Sequence, residues 1–182
     1  MPCVAAPARG CGRASNWFTL TGVADVFEPE WQFESGRRPF LYRVAGIGAQ
    51  AGTERLGASL YEIDPGGQIS PLHVHHANEE LIIVISGRPT LRTADASRAL
   101  SVGAVVACPV GKRGAHTVEN KTDERVRVLI ISTMVYPDVI EHLDSGMIVV
   151  LTTPPDEMGV DDIGLAFARD DAVNPAAGPP PA

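Results

Sequence analysis

The sequence is poor in lysine, and this shortage limits the partners that the protein can have. Lys112 and Lys121 are the only lysines among the 15 basic residues of the 182-residue chain, and the formal net charge is −7. Proteins that bind nucleic acid neutralise its phosphates with clustered lysine and arginine, so a nucleic-acid partner is not expected. No run of eighteen apolar residues occurs either, so no membrane-spanning helix is expected. The N-terminus lacks the basic start and apolar core of a secretory signal, which makes the cytoplasm the expected location.

Cysteine is also scarce. Cys3, Cys11 and Cys108 are scattered, and they form neither a CxxC metal pair nor a disulfide framework. Cys108 lies in the apolar run "GAVVACP", where it is predicted to be a small buried core residue.

The composition of the two ends differs from that of the middle. Residues 1–14 are rich in Ala, Gly, Pro and Arg, and residues 170–182 form a Pro/Ala-rich tail, so both ends are predicted to be disordered. The remaining residues, 15–169, are enough for one domain with a sizeable core and too few for two ordinary domains.

Within this range, short apolar runs alternate with glycine and proline. The runs "ASLYEI", "EELIIVIS", "AVVACP" and "RVRVLIIST" each end at or near such a turn signal, which predicts an all-β sandwich or barrel. The N-terminal 55 residues, including "AGIGAQAG", fit extended arms and turns better than helices. One short helix near the C-terminus is predicted over "PDVIEHLDSG", because Pro137 suits a first helical turn and Gly146 follows the end.

The strand predicted over "EELIIVIS" is apolar on both faces. Side chains alternate across a strand, so Ile82 and Val84 share one face with Glu80, and Leu81, Ile83 and Ile85 form the other face. A strand of this kind is covered on both sides. One face can line a barrel interior, and the other must pack on N-terminal strands or on a partner subunit. A homodimer is therefore expected.

A dense group of histidines and glutamates precedes this apolar run, in "PLHVHHANEE". His73 and His75 are two residues apart and would project from the same face of a strand, whereas His76 would point the other way. Two imidazoles on one face can begin a metal site. A structural or solvent-exposed pair has the same spacing, so the pair by itself leaves both interpretations open.

The spacing of the surrounding residues resembles the two paired motifs of the cupin superfamily. The first motif is Gly67, five residues, His73-x-His75, four residues, Glu80, six residues and Gly87. The second is Gly103, five residues, Pro109-x-Gly111, four residues, His116, three residues and Asn120. The second motif departs from the shortest family form, which has two residues between this glycine and histidine, and the departure affects the loop more than His116. The likeness extends over residues 58–135.

The resemblance implies a conical antiparallel β-barrel, the double-stranded β-helix or jelly roll, here with extra N-terminal strands. It also implies that four residues bind one metal ion inside the barrel: His73, His75, Glu80 and His116. Three imidazoles and one carboxylate suit a divalent first-row ion such as Fe, Mn, Ni, Co or Zn.

Other polar residues receive less specific interpretations. Glu79 is expected at the rim or in solvent, His142 on the surface or satisfied by a partner rather than on the metal, and Asn120 in a structural role. Nothing in the sequence places Tyr61, Arg92 or Arg113 inside the barrel.

Two classes of function remain after these exclusions. The first is a metalloenzyme of the oxygenase, decarboxylase or isomerase type that acts on a small polar molecule. In that case Glu80, moving on and off the metal, could be the catalytic base. The alternative is a non-enzymatic module that binds or senses a small molecule such as a sugar or carboxylic acid. No segment has the periodicity of a DNA-reading helix pair.

Overall fold

The computed structural model describes residues 22–154 and 162–172. The N-terminal segment predicted to be disordered, residues 1–14, and most of the predicted tail, residues 173–182, lie outside the described residues. At the described start of that tail, a single 3-10 turn covers Arg169–Asp171. No helix in the described ranges is long and apolar enough to cross a membrane.

The described part of the chain is built almost entirely from β-strands. The only α-helix in it is α1 (Ile47–Ala51), which follows the second strand. In chain order the strands are β1 (Phe33–Arg37), β2 (Phe40–Gly46), β3 (Gly57–Ile63), β4 (His73–His75), β5 (Glu80–Ser86), β6 (Thr90–Arg92), β7 (Ser97–Ala99), β8 (Val105–Cys108), β9 (Thr117–Glu119), β10 (Val126–Ser132), β11 (Asp138–His142), β12 (Met147–Leu151) and β13 (Gly164–Ala168).

These strands pair in an antiparallel manner into three sheets. The largest has the order β1-β2-β3-β10-β5-β8, and the smaller ones have the orders β13-β12-β11-β4 and β7-β6-β9. An isolated bridge between His73 and His116 connects the two smaller sheets. This architecture confirms the predicted all-β jelly-roll fold with extra N-terminal strands, which are β1 and β2.

The four runs that sequence analysis assigned to strands coincide with β3, β5, β8 and β10. β10 lies between β3 and β5; it pairs with β3 over its whole length and with β5 from Arg127 to Ser132, with a register shift after Arg127. Its inward residues Val126 and Val128 are fully buried. These β-branched side chains favour a pleated, buried surface, which explains why the strand signal was strong.

The helix predicted over "PDVIEHLDSG" is wrong, because this segment forms β11 and the turn that leads into β12. β11 pairs with β4 on one side and with β12 on the other. Gly146, with φ 67°, lies in the turn, and its N–H donates to His142 O. Glycine with positive φ follows helices and also occupies tight turns, so the same residue is compatible with either structure.

The expectation that the first 55 residues contain no helix is also wrong, since "IGAQA" forms α1. Its five residues are too few to show a helical period in the sequence. The segment is fixed by close packing: Ile47 is buried beside Leu60, and a Cβ on Gly48 would lie 2.9 Å from Ala58 N.

Both faces of β5 are covered, as the alternation predicted. Ile82 and Val84 belong to the main core, which also contains Cys108 at 5% exposure, as expected for a buried thiol. On the other face, Ile85 packs against a second cluster, which this chain's own N-terminal residues build together with β3 and β10. That cluster contains Ala45, Ile47 and Leu60, with Ala24, Val26, Trp31, Ala58 and Leu129 packed on it. The homodimer stays a prediction.

Candidate metal centre

A cavity of about 360 Å³ lies between the six-stranded sheet and strands β4 and β11. One wall comes from β3, β5 and β10, and the opposite wall comes from β4 and β11. The four residues predicted as metal ligands all line this cavity: His73, His75, Glu80 and His116.

Strand β4 places two imidazoles side by side. His73 and His75 project from the same face, and their Nε2 atoms are 3.1 Å apart. Together with the Glu80 carboxylate they form a group whose potential ligand atoms all lie within 4.8 Å of one another. The predicted common face of His73 and His75 is therefore observed, and Glu80 approaches both from the opposite wall of the cavity.

His116 reaches the same place from the second motif. Its backbone pairs with that of His73, with each N–H donating to the other's carbonyl at 3.2 and 3.0 Å. Its Nε2 lies 3.0 Å from Glu80 Oε2, and the His75 Nε2 is 3.6 Å from the same oxygen. Glu80 thus lies within reach of two imidazoles that come from different motifs.

The outer nitrogen of each imidazole is held by an oxygen acceptor. His73 Nδ1 lies 3.0 Å from Pro71 O, and His116 Nδ1 lies 2.8 Å from Gly114 O. His75 Nδ1 lies 2.5 Å from Asp138 Oδ2. Since a carbonyl or carboxylate oxygen only accepts, Nδ1 carries the hydrogen in each ring. The Nε2 atom of each ring consequently faces the cavity, and it offers a lone pair there when the ring is neutral.

Asp138 accepts three hydrogen bonds, one of them from His75. It is 1% exposed, and its carboxylate also accepts from the Ala77 backbone N–H and from Asn78 Nδ2, both at 2.9 Å. Asn78 in turn accepts the Val135 N–H at 2.6 Å, which ties the loop after β10 to the site. Sequence analysis missed both Asp138 and Asn78. The available signal was the β-branched pair Val139-Ile140, which marks a strand starting at Asp138.

The environment shifts the ionisation of the site residues in opposite directions. Burial, with the neighbouring His116 and His75, lowers the pKa of His73 to about 4. Burial also acts to lower the pKa of His116, but hydrogen bonds with the Cys108 thiol and the Glu80 carboxylate outweigh it and raise that pKa to about 10. Burial acts to raise the pKa of Glu80, but the hydrogen bond from His116 and the nearby imidazoles bring it below its usual range.

The donors present fit a first-row metal ion. The Nε2 lone pairs of His73 and His75 face each other at 3.1 Å, which is unfavourable unless a cation or a proton lies beside them. Three imidazole nitrogens and one carboxylate are the ligands that Fe, Mn, Ni, Co and Zn accept. The longer turn of the second motif forms a 3-10 turn at Lys112–Gly114 and leaves His116 beside Glu80.

The neighbouring polar residues lie outside this cluster. His76 points away, as predicted, and its Nε2 is 3.5 Å from Glu141. Glu79 is exposed. His142 is half-buried opposite His73 in the β4–β11 pair, with ring centroids 6.4 Å apart, and it is not among the cavity-lining residues.

The remaining residues that the sequence left unplaced fall into two groups. Tyr61 lines the cavity, and burial raises the pKa of its hydroxyl. Arg92 instead pairs with Asp144 and Glu119, and Arg113 is exposed in the 3-10 turn. Asn120 is 1% exposed and donates to Ile63 O and Glu124 O, which agrees with the structural role expected for it.

Comparison with known proteins agrees with this fold. A family model described as "Cupin domain" matches residues 59–132. A candidate sugar phosphate isomerase from Acidithiobacillus ferrooxidans has a TM-score of 0.67 at 21% identity, over 81% of this chain and 88% of that chain. A sugar phosphate isomerase of the cupin superfamily from Silicibacter pomeroyi has a TM-score of 0.64 at 22% identity, over 78% and 99%. A predicted oxalate decarboxylase from Thermotoga maritima has a TM-score of 0.52 at 16% identity, over 62% and 99%. No curated protein sequence matches the chain.

Proposed function

The chain belongs to the cupin superfamily, and on that premise we propose that it is a mononuclear metalloenzyme acting on a small molecule bound in the cavity. The reaction types that suit one exposed ion are oxygenation, decarboxylation and isomerisation. Similar structures bear the names of an isomerase and a decarboxylase, and at 22% identity or less they support the fold and not a particular reaction.

One observation carries this proposal. The three imidazoles of His73, His75 and His116 all have Nδ1 held by an oxygen acceptor, so their Nε2 atoms converge near the Glu80 carboxylate. A histidine that only fills a core needs no such common orientation. A bound ion would act as a Lewis acid toward oxygen atoms of a substrate in the cavity.

Glu80 is the residue that we assign to proton transfer. Its Oε2 atom is near the Nε2 atoms of both His116 and His75, at 3.0 and 3.6 Å. The carboxylate can therefore exchange a proton with His116. Without a metal ion the proton resides on His116, because its hydrogen bonds with Cys108 and Glu80 raise its pKa to about 10. A glutamate that alternates between the ion and a proton can serve as the general base.

Elemental analysis of the purified protein beside His75→Ala and His116→Ala tests the metal site. We expect one first-row ion per chain in the wild type and loss of that ion in both variants. His76→Ala is the matched control, because His76 adjoins His75 in sequence and its side chain pairs with Glu141 instead. Wild-type protein that stays empty after refolding with several metals would contradict the proposal.

The role of Glu80 is tested separately with Glu80→Gln. The amide keeps an oxygen donor but cannot take a proton, so we expect most of the metal to remain while turnover is lost. Turnover would be sought as oxygen consumption or product formation on diketones, hydroxy acids and catechols. If the variant loses its metal and added ion restores activity, Glu80 is a ligand only and not the base.

A binding or sensing function is the second candidate. The small number of other titratable residues in the cavity favours it, because an enzyme needs groups that transfer protons. Apart from the four proposed ligands and Asp138, the described residues that line the cavity include only three titratable side chains: Glu54, Tyr61 and Tyr136. The raised pKa of Tyr61 lets it donate a hydrogen bond but not act as a base. Ligand binding at constant metal content, with no turnover in wild type or variants, would support this second function.

A further inference from the structure

The charge of the cavity wall restricts what the site can hold. No arginine or lysine is found among the described residues that line the cavity. Glu54, also part of the lining, adds a negative charge.

Five arginines of the described chain form ion pairs outside the cavity. Arg43 and Arg127 bind the buried Glu62 at 2.6 Å each, with Arg125 at 3.4 Å, and none of the three lines the cavity. Arg92 binds Asp144 at 2.5 Å. Arg169 is paired with Glu141. A phosphate or second carboxylate in the cavity would therefore find no cationic side chain from these positions.

Hydroxyl groups line the wall instead. Ser59 and Tyr61 lie two apart on β3 and face the cavity, and Ser132 on β10 pairs directly with Glu80 on β5. No hydrogen bond joins these three hydroxyl groups to another residue in the described part of the chain. Unpartnered hydroxyls beside the proposed ion can bind the oxygen atoms of an uncharged ligand.

Part of the lining is apolar. It includes Leu56, Met134, Ile140, Leu151 and Pro154. Ile140 is the direct β11 partner of His75, so apolar surface begins next to the proposed ligands. Contact between this surface and an apolar group of a ligand is favourable, whereas placing a charged group against it is unfavourable because the charge loses its hydration.

We infer that the cavity takes an uncharged small molecule with adjacent oxygen atoms at one end and an apolar group at the other, and that it discriminates against phosphate esters. The oxygens lie toward Glu80 and the hydroxyls of Ser59, Tyr61 and Ser132. The apolar group lies against Ile140, Met134 and Leu151. This inference rests on the proposed function, because the ligand occupies the same site.

Three hydroxyketones that differ in one group provide the test. They are 1-hydroxy-3-phenylpropan-2-one, 1,3-dihydroxypropan-2-one and its monophosphate. Each is titrated by calorimetry into the full-length protein, once loaded with metal and once metal-free. We expect the phenyl compound to bind about tenfold or more tighter than the phosphate, with the diol between them. Tightest binding of the phosphate, or equal affinity for all three, would overturn the inference.

A charge introduced at the cavity tests the cause of this preference. Leu56 lines the cavity and is 53% exposed, so Leu56→Arg is not expected to disturb folding. This variant should bind the phosphate about tenfold more tightly than the wild type does. Val105→Arg, at a similarly exposed position that does not line the cavity, is the control and should leave all three affinities unchanged. Equal gains in both variants, or none in Leu56→Arg, would contradict the inference.

Metal content measured on the same samples separates the two proposals. An empty wild type that still prefers the phenyl compound would overturn the metalloenzyme and support the inferred ligand class. A loaded wild type that prefers the phosphate would overturn the ligand class alone.

Discussion

The partly buried His75 pairs with the buried Asp138, with 2.5 Å between the imidazole Nδ1 and the carboxylate Oδ2. Burial acts to raise the pKa of Asp138, but hydrogen bonds from His75, Asn78 and the Ala77 N–H outweigh it and hold that pKa below its usual range. The carboxylate therefore stays ionised and fixes the ring of His75 so that its Nε2 faces the cavity.

Asp138→Asn is expected to weaken metal binding by about 10–100-fold, because the amide carries no charge and offers one acceptor oxygen in place of two. Affinity is measured by competition with a chelator of known strength. Asp144→Asn is a matched control, since Asp144 lies outside the metal cluster and pairs with Arg92. Unchanged affinity in Asp138→Asn would show that His75 does not depend on this partner.

Metal uptake should release protons and strengthen as pH rises. In the metal-free protein the raised pKa of His116, about 10, means that its imidazole is protonated at neutral pH. An ion can bind Nε2 only after that proton leaves, so apparent affinity should fall by about tenfold per pH unit for each displaced proton as pH is lowered from about 8 to 6. Calorimetry in buffers of different ionisation enthalpy counts the protons. Zero proton release would place His116 outside the coordination sphere.

Gly114→Ala should displace His116. A Cβ on Gly114 would lie 1.8 Å from Pro109 O, and Gly114 O is the acceptor for His116 Nδ1. The turn must shift to relieve this overlap, so we expect metal affinity to fall by at least about tenfold. Gly36→Ala is the control, because a Cβ there meets nothing within 4 Å. Similar loss in both variants would indicate a general effect on folding.

Glu62→Ala should destabilise the barrel without emptying the metal site. Glu62 is 6% exposed and holds Arg43 and Arg127, whose guanidinium groups also lie over the Trp31 ring. Removing the carboxylate leaves these cations uncompensated, and we expect a loss of about 2–4 kcal/mol in the free energy of unfolding. Urea denaturation measures it, with metal content as the second readout. Loss of metal at full stability would contradict this assignment.

The local part of the site could be predicted from the sequence. Strand alternation places His73 and His75 together and turns His76 outward, and the spacing to Gly87 selects Glu80 over the exposed Glu79. These relationships depend on neighbours within one or two strands. Alternation has a fixed period, so a short stretch is enough to reveal it.

The parts that could not be predicted depend on distant pairing. Asp138 becomes a partner of His75 only because β11 adds to β4, and nothing local to "PDVIEH" specifies that neighbour. The same pairing converts the predicted helix into a strand. Tyr61 faces inward because β3 pairs with β10 in a particular register. Such contacts arise from tertiary structure, which overrides local preference.

The mutual backbone bridge of His73 and His116 has a consequence for how this site tolerates change. The bridge fixes the backbone register of the two histidines directly, so an insertion at the exposed Lys112 and Arg113, ahead of the Gly114 carbonyl that holds the His116 ring, need not move either imidazole. A single insertion inside β4 would instead reverse the faces of His73 and His75. Insertion scanning should therefore find the exposed start of the turn, at Lys112 and Arg113, permissive, and both Gly114 and strand β4 intolerant.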